Sequence, residues 1–176
     1  MSKSTLLLLN ANIVIKLHEL GLWVQVVQRY SVILTATVFG EARYYREGED
    51  DVPIELSRQV EQHLLTVVEV DVGAFATFKD RFAPGYVERL DPGEGEALAF
   101  LDSSAEDLML CSSDGIVFRT LALLKRSEQG LSLEETLAGA GLGRQDLPWQ
   151  FTKRFREVET KKGRSDAVTG LGFKQE

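Results

Sequence analysis

The hydrophobic positions of the chain follow two alternating patterns. Short, continuous apolar runs are typical of strands that are buried on both faces of a parallel sheet. Longer segments repeat apolar residues at spacings of three and four, which is the period of an α-helix. The pattern therefore predicts strands alternating with helices. The predicted strands cover residues 5–9, 31–36, 66–70, 108–111 and 131–133.

The predicted helices fill the segments between these strands, with capping residues at several of their starts. Gly21 separates two short helices, and Asn12 and Thr37 are each suited to accept a free amide of the helix that follows. The segment 48–53 is polar and predicts a loop. The further helices cover residues 38–46, 55–64, 72–82, 92–101, 116–125, 134–140 and 148–160.

Strands that alternate with helices imply right-handed βαβ crossovers. We therefore expect an α/β fold of three layers, α/β/α, around a central, mostly parallel sheet. A chain of 176 residues is the size of one domain. We expect residues 1–160 to form this domain, ending in a helix, and residues 161–176 to form a flexible tail, because the tail has glycines and little periodicity.

The composition excludes several classes of protein. No apolar stretch approaches the roughly 18 residues of a membrane helix, and no secretory leader is recognisable, so we expect a cytoplasmic protein without membrane contact. The single cysteine, Cys111, excludes an internal disulfide and multi-cysteine zinc motifs. His18 and His63 show no ligand spacing, and we interpret Trp23 and Phe151, together with Trp149, as packing residues.

The net charge of −7 is unevenly distributed along the sequence. Residues 144–164 contain seven cations and three anions, so this segment carries +4 and the rest of the chain −11. A solvated helix face is the simpler interpretation of the basic segment. The alternative is a surface that contacts the phosphates of a nucleic acid, for which Lys153, Arg154 and Arg156 are the candidates.

Oxygen-bearing side chains follow the ends of several predicted strands. Asn10 and Asn12 follow the first strand, Glu41 lies after the second, Glu94 begins a helix, and Asp114 follows the strand at 108–111. Ligands of parallel sheets bind outside the carboxyl ends of the strands. Carboxylates packed together repel one another unless a cation neutralises them, and oxygen ligands favour magnesium over zinc. The pattern predicts a magnesium site, with manganese as the substitute ion.

Four segments together resemble the PIN-domain family of small metal-dependent nucleases, many of which are toxins of toxin-antitoxin pairs. The resemblance covers roughly residues 5–142 and implies a ribonuclease activity, an RNA substrate, a homodimer and, for the toxin branch, an antitoxin partner. It implies that positions 10, 41, 94 and 114 hold the catalytic and metal-binding residues, with Glu96 a less favoured neighbour of Glu94 and with Asn12 and Ser112 in support. The segments read LLNANIVIKLHELGL, TATVFGEARYY, LDPGEGEALAF and LMLCSSDGIVFRTL.

The chain departs from the family pattern at its first acidic position. The family has an aspartate there, whereas this chain has Asn10. An amide oxygen can coordinate a cation but brings no charge, so we expect an impaired or inactive site. Either an introduced substitution or a natural loss of catalysis would explain Asn10.

Structural roles compete with the metal site for these residues. Asn12 can cap a helix, and Glu94 and Asp114 can complement helix dipoles. Two further functions also remain open: a non-catalytic module that retains the PIN fold and binds RNA or protein, and another α/β enzyme of phosphoryl transfer. The chain has no glycine-rich phosphate loop, which disfavours nucleotide hydrolysis.

Overall fold

A computed structural model describes residues 5–143 and 145–176. In these residues strands and helices alternate, as the hydrophobic pattern predicts. The central sheet has five strands in the order β5-β2-β1-β6-β7, and all of its pairings are parallel. The strands are β1 (Leu6–Leu9), β2 (Ser31–Thr35), β3 (Tyr44–Glu47), β4 (Asp50–Pro53), β5 (Leu65–Val68), β6 (Leu108–Cys111) and β7 (Gly130–Leu131).

Helices cover both faces of the sheet, which gives the expected α/β/α layers. The α-helices are α1 (Ala11–Glu19), α2 (Trp23–Arg29), α3 (Ala36–Glu41), α4 (Ser57–Glu61), α5 (Val72–Lys79), α6 (Pro84–Val87), α7 (Pro92–Ser103), α8 (Gly115–Leu123), α9 (Leu133–Gly139) and α10 (Lys153–Thr169). Short 3-10 turns lie at Ser127–Gln129 and Trp149–Phe151. Among these helices of the described residues, none has the length and apolar character needed to cross a membrane.

The strand β1 shows why its sequence is apolar at every position. Leu7 and Leu9 belong to one core cluster, with α1, α2 and α9, while Leu8 belongs to a second cluster with α5, α7 and α8. Successive side chains of a strand point to opposite faces, so a strand covered on both sides needs apolar residues throughout. The continuous apolar run predicts this placement correctly.

The structure corrects the prediction for residues 38–53. The predicted helix 38–46 is helical only as far as Glu41, where α3 ends. Residues 44–53, which include the predicted polar loop 48–53, form an antiparallel hairpin of β3 and β4. Glu47 pairs with Asp50, and the turn between them has Gly48 at a φ of 65°. A two-residue hairpin turn requires such a φ at its first central residue, and glycine adopts it without steric cost.

The helix caps also differ from the predicted ones. Thr35, rather than Thr37, accepts a hydrogen bond from the backbone N–H of Val38 and caps α3. At the start of α1 the cap position belongs to Asn10, so Asn12 lies inside the helix and does not cap it. The helix α3 therefore begins directly after β2, and α1 begins one residue after β1, so both helices start two residues earlier than the sequence pattern predicts.

The C-terminal helix continues beyond its predicted end at residue 160, into the segment 161–176 for which the sequence predicts a flexible tail. The helix α10 continues to Thr169 and packs along α8. Gly163 is buried against the backbone of Arg119, and Phe173 stacks on Phe82 with 5.4 Å between ring centroids. The segment is polar because most of α10 faces solvent, and the absence of a side chain at Gly163 allows the close helix packing.

Candidate functional site

Asn10 lies at the junction of β1 and α1, at the carboxyl edge of the sheet. Its backbone N–H donates to the carbonyl of Cys111, the residue that pairs with Leu9 at the end of the contact between β1 and β6. Only 4% of Asn10 is exposed. Its side-chain Nδ2 donates to Ser112 Oγ at 2.9 Å, but its Oδ1 has no hydrogen-bond partner. A buried amide oxygen without a partner loses its hydration and gains nothing in return, so it is available to a ligand.

Ser112 joins Asn10 to the turn before α8. Its buried hydroxyl oxygen accepts from Asn10 Nδ2 and also from the backbone N–H of Asp114, at 3.1 Å. The Asp114 side chain is exposed and caps α8 by accepting from the N–H of Ile116 at 3.0 Å. Ser112 therefore contacts Asp114 through the backbone N–H of Asp114, and its support of a metal ligand stays a prediction.

Glu94 is the most buried acid of the site, with 5% of the residue exposed. It forms a capping box at the start of α7, in which Asp91 Oδ1 accepts from the Glu94 N–H at 2.8 Å and Glu94 Oε2 accepts from the Asp91 N–H. Burial raises the pKa of Glu94 to about 8, with further contributions from the charges of Asp114 and Asp91. This carboxyl is therefore mostly protonated at neutral pH in the absence of a cation.

Glu41 approaches the same helix start from α3. A Cβ atom on Gly93 would lie 3.1 Å from Glu41 Oε2 and 3.1 Å from Val38 Cγ2, so the missing side chain of Gly93 gives Glu41 its place. The pKa of Glu41 is raised, first by partial desolvation and then by the charges of Asp91 and Glu96. Burial and the neighbouring acids together therefore disfavour the charged form of Glu41.

These residues line one cavity of about 200 Å³ at the carboxyl edge of the sheet. Three of the four predicted metal ligands, Asn10, Glu41 and Glu94, lie in its wall, together with Asn12. Asp114 lies outside that wall, although its charge acts on Glu94. The structure therefore brings together residues from the ends of β1 and α3 and from the start of α7.

Asp91 also lines this cavity, and sequence reasoning did not include it among the site residues. The pattern Asp-Pro-Gly-Glu at 91–94 is an acid followed three residues later by a glutamate, which is the spacing of a capping box. Recognising that spacing would have placed the Asp91 carboxylate beside Glu94.

The donor set at this cavity is made of oxygen and fits a hard divalent cation in its chemistry. The unpartnered Asn10 Oδ1 and the buried Glu94 carboxyl are the strongest candidates to hold such an ion. Within residues 5–143 and 145–176, no three histidine, cysteine, aspartate or glutamate side chains are grouped so as to hold a metal. Asn10 supplies an uncharged amide oxygen to this cavity, whereas an aspartate at the same position would supply a negative charge.

The three predicted nucleic-acid contacts have different environments. Arg156 forms a bidentate ion pair with Glu135, at 2.7 Å and 2.8 Å. Lys153 and Arg154, in the first turn of α10, are exposed, and the Lys153 ammonium lies 3.9 Å from Glu157. Arg156 therefore stabilises the contact of α10 with α9, whereas Lys153 and Arg154 present their charges to solvent.

No protein-family model, curated protein or solved structure matches the chain in the three comparisons made.

Proposed function

We propose that the chain is a PIN-like, magnesium-dependent ribonuclease scaffold whose activity is impaired by Asn10. The observation that carries the proposal is the buried Asn10 Oδ1, which has no protein partner and lines a cavity together with Glu41 and Glu94. A divalent cation would complete the coordination of that oxygen and neutralise the acids around it. The resemblance in sequence supplies the reaction class, which is hydrolysis of an RNA phosphodiester.

The residues of the cavity have distinct roles in this proposal. Asn10 Oδ1 and the Glu94 carboxylate would hold the ion, while Glu41 and Asp91 add negative charge around it. A bound Mg²⁺ or Mn²⁺ acts as a Lewis acid and activates water. Glu94 must release its proton when the ion binds, so cation affinity increases as the pH rises toward the Glu94 pKa of about 8.

The acids of the cavity repel the negatively charged phosphates of RNA, so binding of RNA requires positive charge on another part of the surface. Lys153 and Arg154 supply exposed positive charge at the start of α10. Contacts of this kind provide most of the nonspecific affinity for a phosphate backbone. We also propose a cytoplasmic location, a homodimer and, for a toxin role, an antitoxin that covers the cavity.

A non-catalytic module is the second candidate. The amide at position 10 favours it, because a site with an uncharged ligand attracts a divalent cation less strongly than a site with a carboxylate. Titration calorimetry with MgCl₂ at pH 8 distinguishes the two. Saturable binding that Glu94→Gln abolishes supports the cation site, whereas the module predicts no heat of binding.

The decisive experiment restores the missing charge. Asn10→Asp should create cleavage of single-stranded RNA that depends on Mg²⁺ or Mn²⁺ and that EDTA stops. Asn12→Asp is the matched control, since it adds the same charge at an exposed position of the same cavity. Cleavage by Asn10→Asp alone supports a ligand role for position 10. If Asn10→Asp is inert on a broad RNA panel with either ion, the proposed function is wrong.

A further inference from the structure

A second cavity, of about 470 Å³, adjoins the acidic one. Asn12 and Ile15 line both cavities, so the two share a wall on α1. The remaining wall comes from Lys16 and Glu19 on α1, from Ser113 before α8, and from Pro148, Gln150 and Phe151. Its volume is in the range of sites for small organic molecules.

Three polar side chains of this second cavity have no hydrogen-bond partner within residues 5–143 and 145–176. The amides of Asn12 and Gln150 and the hydroxyl of Ser113 form no hydrogen bond with any residue of the described chain. Ile15, Phe151 and Pro148 supply apolar surface between them. These unpaired amide and hydroxyl groups can bond the polar edge of a flat ligand, and the apolar side chains can contact its faces.

The charge of the second cavity differs from that of the first. Its cation, Lys16, lies 3.0 Å from Glu19 Oε2 and 5.6 Å from the centre of the Phe151 ring. The two charges of this pair cancel, whereas the acidic cavity contains Glu41, Asp91 and Glu94 without a cation. An uncharged ligand therefore fits the second cavity better than a phosphate or a metal ion does.

We infer that the second cavity binds a nucleobase of single-stranded RNA, next to the phosphodiester that faces the acidic cavity. This inference rests on the proposed function, which brings an RNA chain to the neighbouring site. An unstacked base presents donors and acceptors at its edge and apolar faces, and proteins read single-stranded RNA through both features. The amides of Asn12 and Gln150 and the Ser113 hydroxyl contact the edge of the base.

The test measures binding of RNA to the full chain, which retains Asn10. Fluorescence anisotropy with labelled homopolymers of A, C, G and U, each about ten nucleotides long, is recorded in EDTA over a range of salt concentrations. The variant is the double change Ser113→Ala with Gln150→Ala, because neither residue lines the acidic cavity. The control is Gln28→Ala with Ser165→Ala, since both residues are exposed and line neither cavity.

The expected result is a loss of affinity of about 3- to 10-fold for the preferred homopolymer, which is the effect of losing one or two hydrogen bonds. The differences among the four homopolymers should become smaller, and the dependence of affinity on salt should not change, because no phosphate contact is lost. Equal binding by the variant and the control overturns the inference, as does a wild-type chain that binds none of the homopolymers.

Cleavage assays separate this inference from the proposed function. The double change is also made in the Asn10→Asp background. If that triple variant cleaves the same bonds at the same rates as Asn10→Asp, the base site is wrong and the nuclease proposal stands. If Asn10→Asp is inert, the nuclease proposal is wrong, and the homopolymer titrations decide the base site.

Discussion

Asn10 Nδ2 donates a hydrogen bond of 2.9 Å to Ser112 Oγ across 102 positions of sequence. The bond connects the end of β1 to the end of β6, and both side chains are buried. It fixes the amide group so that its nitrogen is engaged and its oxygen is left without a partner. The geometry of the candidate site therefore depends on Ser112 as much as on Asn10.

Ser112→Ala should destabilise the fold by about 1–3 kcal/mol, because it leaves the buried Asn10 side-chain Nδ2 without its acceptor. The measurement is the free energy of unfolding in urea. Ser113→Ala is the matched control, since Ser113 is less buried and its hydroxyl has no partner in the described chain. Equal stabilities of the two variants would contradict a structural role for the Asn10–Ser112 bond.

Glu94→Gln should change how stability depends on pH. The pKa of Glu94 is about 8 in the folded protein and near 4.5 in the unfolded chain, so the folded state binds the proton more tightly. The contribution of Glu94 to stability is complete below about pH 4.5, and is lost as the pH rises to about 8. The loss has a maximum slope of about 1.4 kcal/mol per pH unit, which the neutral glutamine removes.

The experiment compares unfolding free energies of the wild type and Glu94→Gln between pH 5 and pH 9 in EDTA. The variant should be the more stable protein at pH 9, because wild-type Glu94 is then charged and buried. Glu96→Gln provides the comparison, since Glu96 is partly exposed and outside the capping box. A wild-type profile that is parallel to that of Glu94→Gln would show that Glu94 titrates normally.

Arg154→Met and Arg156→Met should separate RNA contact from stability. Arg156→Met breaks the bidentate pair with Glu135, in which both side chains are less than one-fifth exposed, and should cost about 1–3 kcal/mol of unfolding free energy. Arg154→Met should leave stability nearly unchanged, because Arg154 is exposed. In RNA titrations, Arg154→Met should lower the salt dependence of binding, and Arg156→Met should not.

If Arg156→Met lowered the salt dependence of RNA binding and retained full stability, Arg156 would be an RNA contact and not a stabilising residue. In that case the ion pair with Glu135 would not hold in solution, and the basic surface would extend further along α10.

Gly163→Ala should destabilise the contact between α10 and α8. Alanine favours a helix over glycine by about 1 kcal/mol, but a Cβ here would lie 2.5 Å from Arg119 Cα and 2.6 Å from the Arg119 carbonyl oxygen. Backbone atoms cannot move away as a flexible side chain can, so the clash prevails and costs about 1–3 kcal/mol. Thermal unfolding of Gly163→Ala is compared with that of Ser165→Ala, an exposed position in the same helix.

Ser165→Ala should be neutral or slightly stabilising, as alanine is a better helix former than serine. If Gly163→Ala gained stability to the same extent, α10 would not pack on α8 as described, and a flexible C-terminal segment would again be the better interpretation.

The local pattern of the sequence determined the layered α/β fold and most of its elements. The strand predicted at 108–111 is β6, and Gly21 separates α1 from α2, with a φ of 68°. Both predictions are confirmed. They could be made from the sequence because each feature depends on residues that are close along the chain, such as a run of buried apolar side chains or a glycine between two helices. The sequence also predicts that Asn10, Glu41 and Glu94 lie close together, and all three line one cavity, although Glu41 is the last residue of α3.

Tertiary structure decided the features that depend on distant residues. The sequence between 38 and 53 contains helix formers and polar residues, but the pairing of Tyr45 with Val52 and the contact of Tyr45 with His18 accompany a hairpin there. Arg156 reads as an exposed cation until Glu135, which is 21 positions away, neutralises it. Helix and strand propensities depend on residues within a short stretch of sequence. Burial and ion pairing depend on which distant segments the sheet brings together, and a local sequence pattern does not contain that information.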